Sequence, residues 1–152
     1  MSAFEVDTFL DSTTTDAGSR RPPIPAGINL IGEITDIKGR VNQGKKDPSK
    51  TYTALDVQIK CQVTPELVAD GQPETVVYTD GILLDLTPDG RGLDWAPGKN
   101  TKLTKYRMAL DMNTPGQAFS PRQMIGRMLR IQVAHEAYQG EIYDRVGSVA
   151  KV

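Results

Sequence analysis

The stretch Leu129–Val149, LRIQVAHEAYQGEIYDRVGSV, reads as two strands joined by a tight turn. Its apolar residues at positions 129, 131 and 133 alternate with Arg130 and Gln132, which is the period-2 pattern of a strand with one buried face. Gln139-Gly140 separates this run from a second alternating run, and glycine supplies the positive φ that a tight hairpin turn needs. The stretch therefore predicts a closing β-hairpin with one aliphatic face.

The other face of the predicted hairpin carries tyrosine and arginine side chains. Aromatic rings can stack on unpaired bases, and guanidinium groups can pair with phosphates or lie over rings. We therefore interpret this face as a candidate surface for single-stranded nucleic acid. An ordinary solvated sheet face, with its arginines paired across the strands to Glu141 or Asp144, is the alternative interpretation. The candidate residues are Arg130, Tyr138, Tyr143 and Arg145.

The composition indicates one domain with an uneven distribution of charge. The chain has 152 residues and a formal net charge of -1, which argues against a basic protein that coats duplex DNA. Residues 1–19 hold four acidic residues and no basic one, and the rest of the chain has 18 basic against 15 acidic residues. A mildly basic body with an acidic arm is compatible with a nucleic-acid partner.

The sequence also predicts the compartment. The single cysteine, Cys61, cannot form an internal disulfide, which is typical of a reducing, intracellular setting. No apolar run near the start resembles a signal peptide, and none approaches the ~20 residues of a membrane span. We therefore expect a cytoplasmic protein with no membrane partner.

The sequence predicts a flexible acidic arm at residues 1–23 and one folded domain at residues 24–152. Asp11–Ser19 consists almost entirely of Ser, Thr, Asp, Ala and Gly, which leaves nothing to bury. The apolar residues before it are suited to anchoring the start of the chain on the body or on another subunit. These are Phe4, Val6, Phe9 and Leu10.

Three strands and one helix are predicted between the arm and the closing hairpin. Gly32 is the natural place for a bulge in the first strand, where the apolar parity shifts, and Thr101 is suited to capping the helix. The second strand alternates most clearly, with Leu55, Val57, Ile59 and Cys61 on its buried face. The predicted bounds are a strand at Ile28–Ile37, a loop at Lys38–Lys50, strands at Tyr52–Val63 and Val76–Leu86, a helical turn at Glu66–Ala69, a helix at Lys99–Met112 and a short helical turn at Pro121–Gly126.

This order of elements, three strands, a helix and two strands, predicts a mainly β fold. We expect a five-stranded OB-fold-like antiparallel barrel with one helix between strands 3 and 4, a fold whose sheet and loops commonly bind oligonucleotides. A small β-sandwich with a helical insertion is the main alternative.

A helix, a Gly-Arg step and a tyrosine-bearing hairpin follow one another in the last third of the chain. The pieces are Leu103–Leu110, Gly126-Arg127, Ile131–Val133, His135-Glu136, Tyr138, Gly140, Tyr143 and Val146. In this order they resemble the C-terminal half of bacteriophage-encoded single-stranded DNA-binding proteins of the OB-fold type. The first half of the chain fits that family more loosely, through Ile24-Pro25-Ala26-Gly27 and a Gly/Lys-rich loop.

The resemblance implies sequence-nonspecific binding of single-stranded DNA during phage DNA replication, recombination or repair, in the cytoplasm of the infected host cell. Two features depart from the family pattern. Thr64–Gly92 is long and turn-rich, and the chain ends Ala150-Lys151-Val152 without the acidic tail that many such proteins use to recruit partners. The acidic N-terminal arm is then the candidate contact for phage or host replication and recombination proteins.

The stretch Lys38–Lys60 concentrates positive charge, with six basic residues against Asp47 and Asp56. In an OB-fold the loop between the first two strands flanks the binding groove, where cations neutralise phosphates and release counterions. Tyr52 and Tyr143 are the predicted stacking residues. A solvated hairpin loop is the alternative interpretation. The predicted contacts in this stretch are Lys38, Arg40, Lys45, Lys46, Lys50, Tyr52 and Lys60.

The remaining candidates are expected to be structural. His135, the only histidine, shares the parity of the buried hairpin face; Tyr106 should pack in the helix, and Trp95 should cover the barrel end. No Cys/His cluster has metal-ligand spacing and no Gly-rich loop opens a helix, so we expect neither a cofactor nor an enzyme. The alternative function is a phage structural or assembly protein that uses a small β-barrel as a protein-interaction module and forms oligomers.

Overall fold

Five strands make up the sheet: β1 (Asn29–Gln43), β2 (Thr51–Gln62), β3 (Thr75–Leu84), β4 (Met128–Tyr138) and β5 (Glu141–Ala150). In the computed structural model, which describes residues 4–152, all neighbours are antiparallel and the strand order is β3-β2-β1-β4-β5. The mainly β class and the five antiparallel strands are thereby confirmed. No backbone ladder joins β3 to β5 within residues 4–152, so the sheet is open at these two edges.

The helices are α1 (Val6–Leu10), α2 (Pro65–Ala69), α3 (Thr101–Ala109) and a 3-10 helix at Pro121–Met124. The position of α3 between β3 and β4 is confirmed, and so is the packing of Tyr106, which is 1% exposed. Thr101 does not cap the helix as predicted, because Asn100 holds the N-cap position and takes a left-handed φ of 51°. None of the helices in residues 4–152 is long and apolar enough to cross a membrane.

The helix α3 lies against the two open edges of the sheet, because it packs on both β3 and β5. The Tyr106 hydroxyl donates a hydrogen bond to the carboxylate of Asp80 on β3. Lys102, one turn earlier, donates to the same carboxylate at 2.8 Å and to the Gly81 carbonyl at 2.8 Å. The side chains of α3 therefore bind β3 where no fifth backbone ladder is present.

The hairpin of β1 and β2 is longer than the sequence predicted. Gln43 pairs with Thr51, so the connecting loop is Gly44–Lys50, and the prediction of a loop from Lys38 onwards is wrong. Residues 38–43 are polar or exposed on both faces, so this part of the strand has no buried side. It is a strand only because it pairs with β2. Periodicity cannot detect a strand segment of that kind.

The predicted bulge at Gly32 is also wrong, because the register shifts between Ile34 and Asp36, at Thr35. Gly32 has a different role in the core. A Cβ atom at Gly32 would lie 2.5 Å from Cγ2 of Ile59 and 2.8 Å from Sγ of Cys61. The position excludes a side chain because β2 packs directly against it.

Alternation on β2 places its apolar residues in the core as predicted. Leu55, Val57, Ile59 and Cys61 are all buried, and Ile24, just before β1, is fully buried with them. Burial raises the pKa of the Cys61 thiol to about 11. The third strand ends at Leu84, two residues before its predicted end, and Leu86 forms only an isolated bridge with Leu93.

We expect Gly32→Ala to destabilise the protein by roughly 1–3 kcal/mol, because the new methyl group has no space between the strands. The free energy of unfolding in urea measures the effect. Gly39→Ala is the matched control on the same strand, since a Cβ at Gly39 meets no atom within 4 Å. Equal stability of the two variants would contradict the close approach at Gly32.

Candidate nucleic-acid interface

The outward face of β2 carries Tyr52 and Lys60, because the alternate residues of this strand fill the core. The tyrosine is 46% exposed and the lysine side chain is exposed as well. On the neighbouring strand β3 the outward positions include Val77 and Leu83, which are 53% and 65% exposed. This β2–β3 face, defined by these four residues, offers one cation, one ring and two aliphatic side chains to the solvent.

The loop Gly44–Lys50 presents three exposed lysines at one end of the β2–β3 face. Its backbone is ordered by hydrogen bonds from the Gly44 N–H to the Lys50 carbonyl at 2.8 Å and from the Lys50 N–H to the Asp47 carbonyl at 3.0 Å. A Cβ at Gly44 would meet Cε2 of Tyr52 at 2.9 Å, so the ring packs on the loop. Within residues 4–152 no carboxylate pairs with the lysines of this loop, which are Lys45, Lys46 and Lys50.

Lys38 and Arg40 lie on strand β1 and are partly neutralised there. The Nε atom of Arg40 donates to both carboxylate oxygens of Asp56, each at 2.9 Å. The Nζ atom of Lys38 lies 3.9 Å from the carboxylate of Asp36, and both side chains are largely exposed. The unpaired positive charge of the predicted basic stretch therefore lies in the loop and at Lys60.

The last hairpin, β4–β5, places Tyr138 and Tyr143 side by side, with ring centroids 6.5 Å apart and an edge-on orientation. The guanidinium of Arg20 lies 4.0 Å from the centroid of the Tyr143 ring. It also donates to the Ile142 carbonyl at 2.8 Å and pairs with Glu141 at 3.4 Å. One face of Tyr143 is thus covered by the arm, whereas Tyr138 is 62% exposed.

Arg130 and Arg145 do not pair with the carboxylates of this hairpin, which was the alternative interpretation. Glu141 pairs with Arg20, and Asp144 pairs with Arg21 at 2.9 Å. Arg145 donates to the Val146 carbonyl at 3.1 Å, and both Arg130 and Arg145 remain exposed. Among residues 4–152 neither of the two makes an ion pair.

Asp144 links the last hairpin to β3. Its carboxylate accepts a hydrogen bond from the Tyr78 hydroxyl at 2.6 Å and pairs with Arg21. Burial by itself would raise the pKa of Asp144, but the hydrogen bonds from Tyr78 and Arg21 and the charge of Arg21 outweigh it and lower the pKa. Burial, followed by the bond to Asp144, raises the pKa of Tyr78. The link sets the hairpin beside the first half of β3.

The two groups of candidate residues therefore border the β2–β3 face from opposite ends. The loop joins β2 at Thr51, and the hairpin reaches β3 at Tyr78, which pairs with Ile59 near the far end of β2. From Tyr52 to Lys60 the strand covers roughly 26 Å at about 3.3 Å per residue. The loop lysines thus lie at one end of this face, and the Asp144–Tyr78 contact brings β5 to β3 near its other end.

Arg20 and Arg21 are the site residues that sequence reasoning missed. The available signal was an adjacent pair of arginines between an acidic arm and a proline-rich segment. His135 contacts the Ile24 carbonyl through its Nε2 atom at 2.7 Å, but it is exposed, so its predicted place on the buried hairpin face is wrong because burial on β4 ends at Val133. Trp95 is 44% exposed and lies against the Arg107 guanidinium.

No protein-family model matches the chain, and no curated protein is significantly similar to it. The family resemblance of the last third of the chain stays a prediction that rests on its residues.

The lowered pKa of Asp144 predicts a pH-dependent contribution to stability. The ionised carboxylate stabilises the fold above its unfolded pKa of about 3.9, and the contribution is lost as the pH falls through the lower folded-state pKa. We expect Asp144→Asn to reduce the urea midpoint at pH 7 and the gap to the parent to narrow below about pH 4. Parallel midpoints for parent and variant from pH 7 to pH 3 would contradict the ion pair.

Proposed function

We propose that this chain is a sequence-nonspecific single-stranded DNA-binding protein with an OB-fold-type barrel, closed between β3 and β5 by side chains and α3. The observation that carries the proposal is the strand order β3-β2-β1-β4-β5 with α3 between β3 and β4, combined with unpaired cations and exposed rings around one outward face. Five antiparallel strands with one open junction support the proposal, because the OB-fold is a five-stranded, partly open barrel whose strand 2–3 face and loops bind oligonucleotides.

The loop lysines supply the electrostatic part of binding. Lys45, Lys46 and Lys50 are exposed, and Lys60 continues the positive charge along the β2–β3 face. Phosphate neutralisation by such side chains releases counterions and has no base preference. The overall charge of -1 is compatible with this function because three of the free cations are concentrated in one loop at the end of the face.

The tyrosines supply the stacking part of binding. Tyr52 presents an exposed ring next to the loop, and Tyr138 presents the more exposed ring of the last hairpin. Stacking tolerates any base because every base has a π face. Tyr143, already covered on one side by Arg20, offers its guanidinium neighbour as a further platform. Arg145 adds an unpaired cation two residues from Tyr143, and Arg130 adds another at the opposite end of β4 from Tyr138.

Phage DNA replication, recombination or repair in the infected host cell is the role we assign to this binding, on the strength of the family resemblance. The protein acts without a cofactor and without catalysis in this proposal. The exposed carboxylates of the arm, at Glu5, Asp7 and Asp11, are available for contacts with phage or host replication and recombination proteins.

One observation favours a second candidate function, that of a phage structural or assembly module. Four apolar side chains at the start of the arm are exposed to solvent, with no buried residue in α1. Exposed apolar groups in such a cluster are typical of protein contacts. They are Phe4, Val6, Phe9 and Leu10.

Tyr52→Ala and a Lys45→Gln, Lys46→Gln, Lys50→Gln triple variant test the DNA proposal with oligo-dT in a fluorescence anisotropy titration. We expect Tyr52→Ala to weaken binding by about 1–3 kcal/mol through lost stacking. The triple variant should reduce the slope of log K against log salt by about 2, at ~0.7 per phosphate contact on a single strand.

Lys99→Gln is the matched charge control, because this exposed lysine precedes α3 and lies outside the β2–β3 face. Its salt slope and affinity should equal those of the parent protein. If the parent shows no binding to oligo-dT or to a mixed-sequence strand at low salt, the proposed function is wrong.

A further inference from the structure

A groove on the flank of α3 is lined by aromatic rings and a cation that the proposed function does not use. It has a volume of about 610 Å³ and lies between the helix, the segment around Trp95 and the connection from α3 to the 3-10 helix. Trp95 and Phe119 form two of its walls, and Arg107 lies between them. Asn113, Thr114 and Gln117 add uncharged polar groups to its rim.

Arg107 is held in this groove by two aromatic rings. Its guanidinium carbon lies 4.8 Å from the centroid of Trp95 and 4.2 Å from that of Phe119. Its Nε atom donates to the Met112 carbonyl at 3.0 Å, and no carboxylate of residues 4–152 pairs with its charge. Desolvation lowers the pKa of Arg107. The groove thus presents an unneutralised, fixed guanidinium edge that suits a carboxylate.

The start of the chain carries exposed aromatic rings and carboxylates, which are complementary to the groove. The rings of Phe4 and Phe9 pack on each other with centroids 4.8 Å apart, and both are more than half exposed. Glu5 and Asp7 lie between them in sequence. A helix of five residues with no buried side chain has little stability of its own in water, so a docking surface would stabilise α1.

We propose that the Phe4–Leu10 segment of one copy docks into the Trp95–Arg107–Phe119 groove of a second copy of this chain. The aromatic residues of the segment pack against Trp95 and Phe119, and a segment carboxylate pairs with the guanidinium of Arg107. Charge complementarity supports this occupant, because the segment is acidic and the groove holds an unpaired cation. The assignment goes beyond DNA binding and does not depend on it.

The length of the arm favours a second copy over the same chain. The arm is fixed to the body at Arg20, beside Tyr143, and the ten residue steps from Leu10 to Arg20 span at most roughly 36 Å. From Tyr143 to Ala150 along β5 is already roughly 23 Å, and this end of β5 borders α3 at Lys105 and Met108. Arg107 lies further around the helix, about 100° from Met108 and 200° from Lys105, so the path in one chain would use most of the extended length of the linker.

Light scattering with size-exclusion chromatography tests the proposal on the full chain. We expect the parent protein to form a dimer through reciprocal exchange of arms and Phe9→Ser and Arg107→Gln to be monomers at the same concentration. Val152→Ser and Lys105→Gln are the matched controls, since they remove an exposed apolar side chain and a charge on α3, and both should remain dimers. Phe9 has no buried contacts to lose, so unfolding cannot explain its effect.

Mixing the two monomeric variants distinguishes contact between copies from contact within one chain. An intact arm from Arg107→Gln can still enter the intact groove of Phe9→Ser, so the mixture should regain dimers through one of the two contacts. Trp95 is the only tryptophan, and its emission should shift to shorter wavelength as the parent dimerises.

Three outcomes would overturn the proposal. A parent chain that stays monomeric at ~1 mM has no such contact. A dimer that neither Phe9→Ser nor Arg107→Gln weakens forms through another surface. An emission shift that needs Phe9 but does not vary with protein concentration assigns the groove to the arm of the same chain.

Discussion

Two carboxylates on facing elements hold together the part of the sheet that has no backbone ladder. Asp80 on β3 binds Lys102 and Tyr106 of α3, and Asp144 on β5 binds Tyr78 of β3 together with Arg21. Both carboxylates are largely buried, and each has one cationic and one hydroxyl partner, which is the condition under which buried charge is compatible with a stable fold. The relative placement of β3, β5 and α3 depends on these side chains.

The arrangement of the candidate site follows from that link. Because Asp144 reaches Tyr78, the tyrosine-bearing hairpin lies beside β3 and borders the face whose other end is formed by the lysine loop. Arg21 ties the arm to the same carboxylate, and Arg20 lies over Tyr143. The arm is thus anchored at the candidate interface through two adjacent arginines.

Elements with strong local signals were predicted well, and features that depend on distant partners were not. Gln139-Gly140 defines the hairpin by itself, with φ values of 50° and 78°, and alternation places the β2 side chains correctly. The extension of β1 to Gln43 is polar and depends on pairing with β2. Arg20 binds a carbonyl 122 positions later in the chain, so nothing in its neighbourhood reveals its role. The pairing of the candidate cation Arg40 with Asp56 could not be predicted either, because it depends on the register of β1 against β2.

The position of α3 has a consequence for aggregation. An open sheet leaves the outer N–H and C=O groups of its two edge strands free to pair with the strands of another molecule. Here one nine-residue helix packs on both edge strands, so it shields part of each of them. Local unfolding of α3 would expose two edges at once, and the colloidal stability of the protein then depends on a segment much smaller than its core.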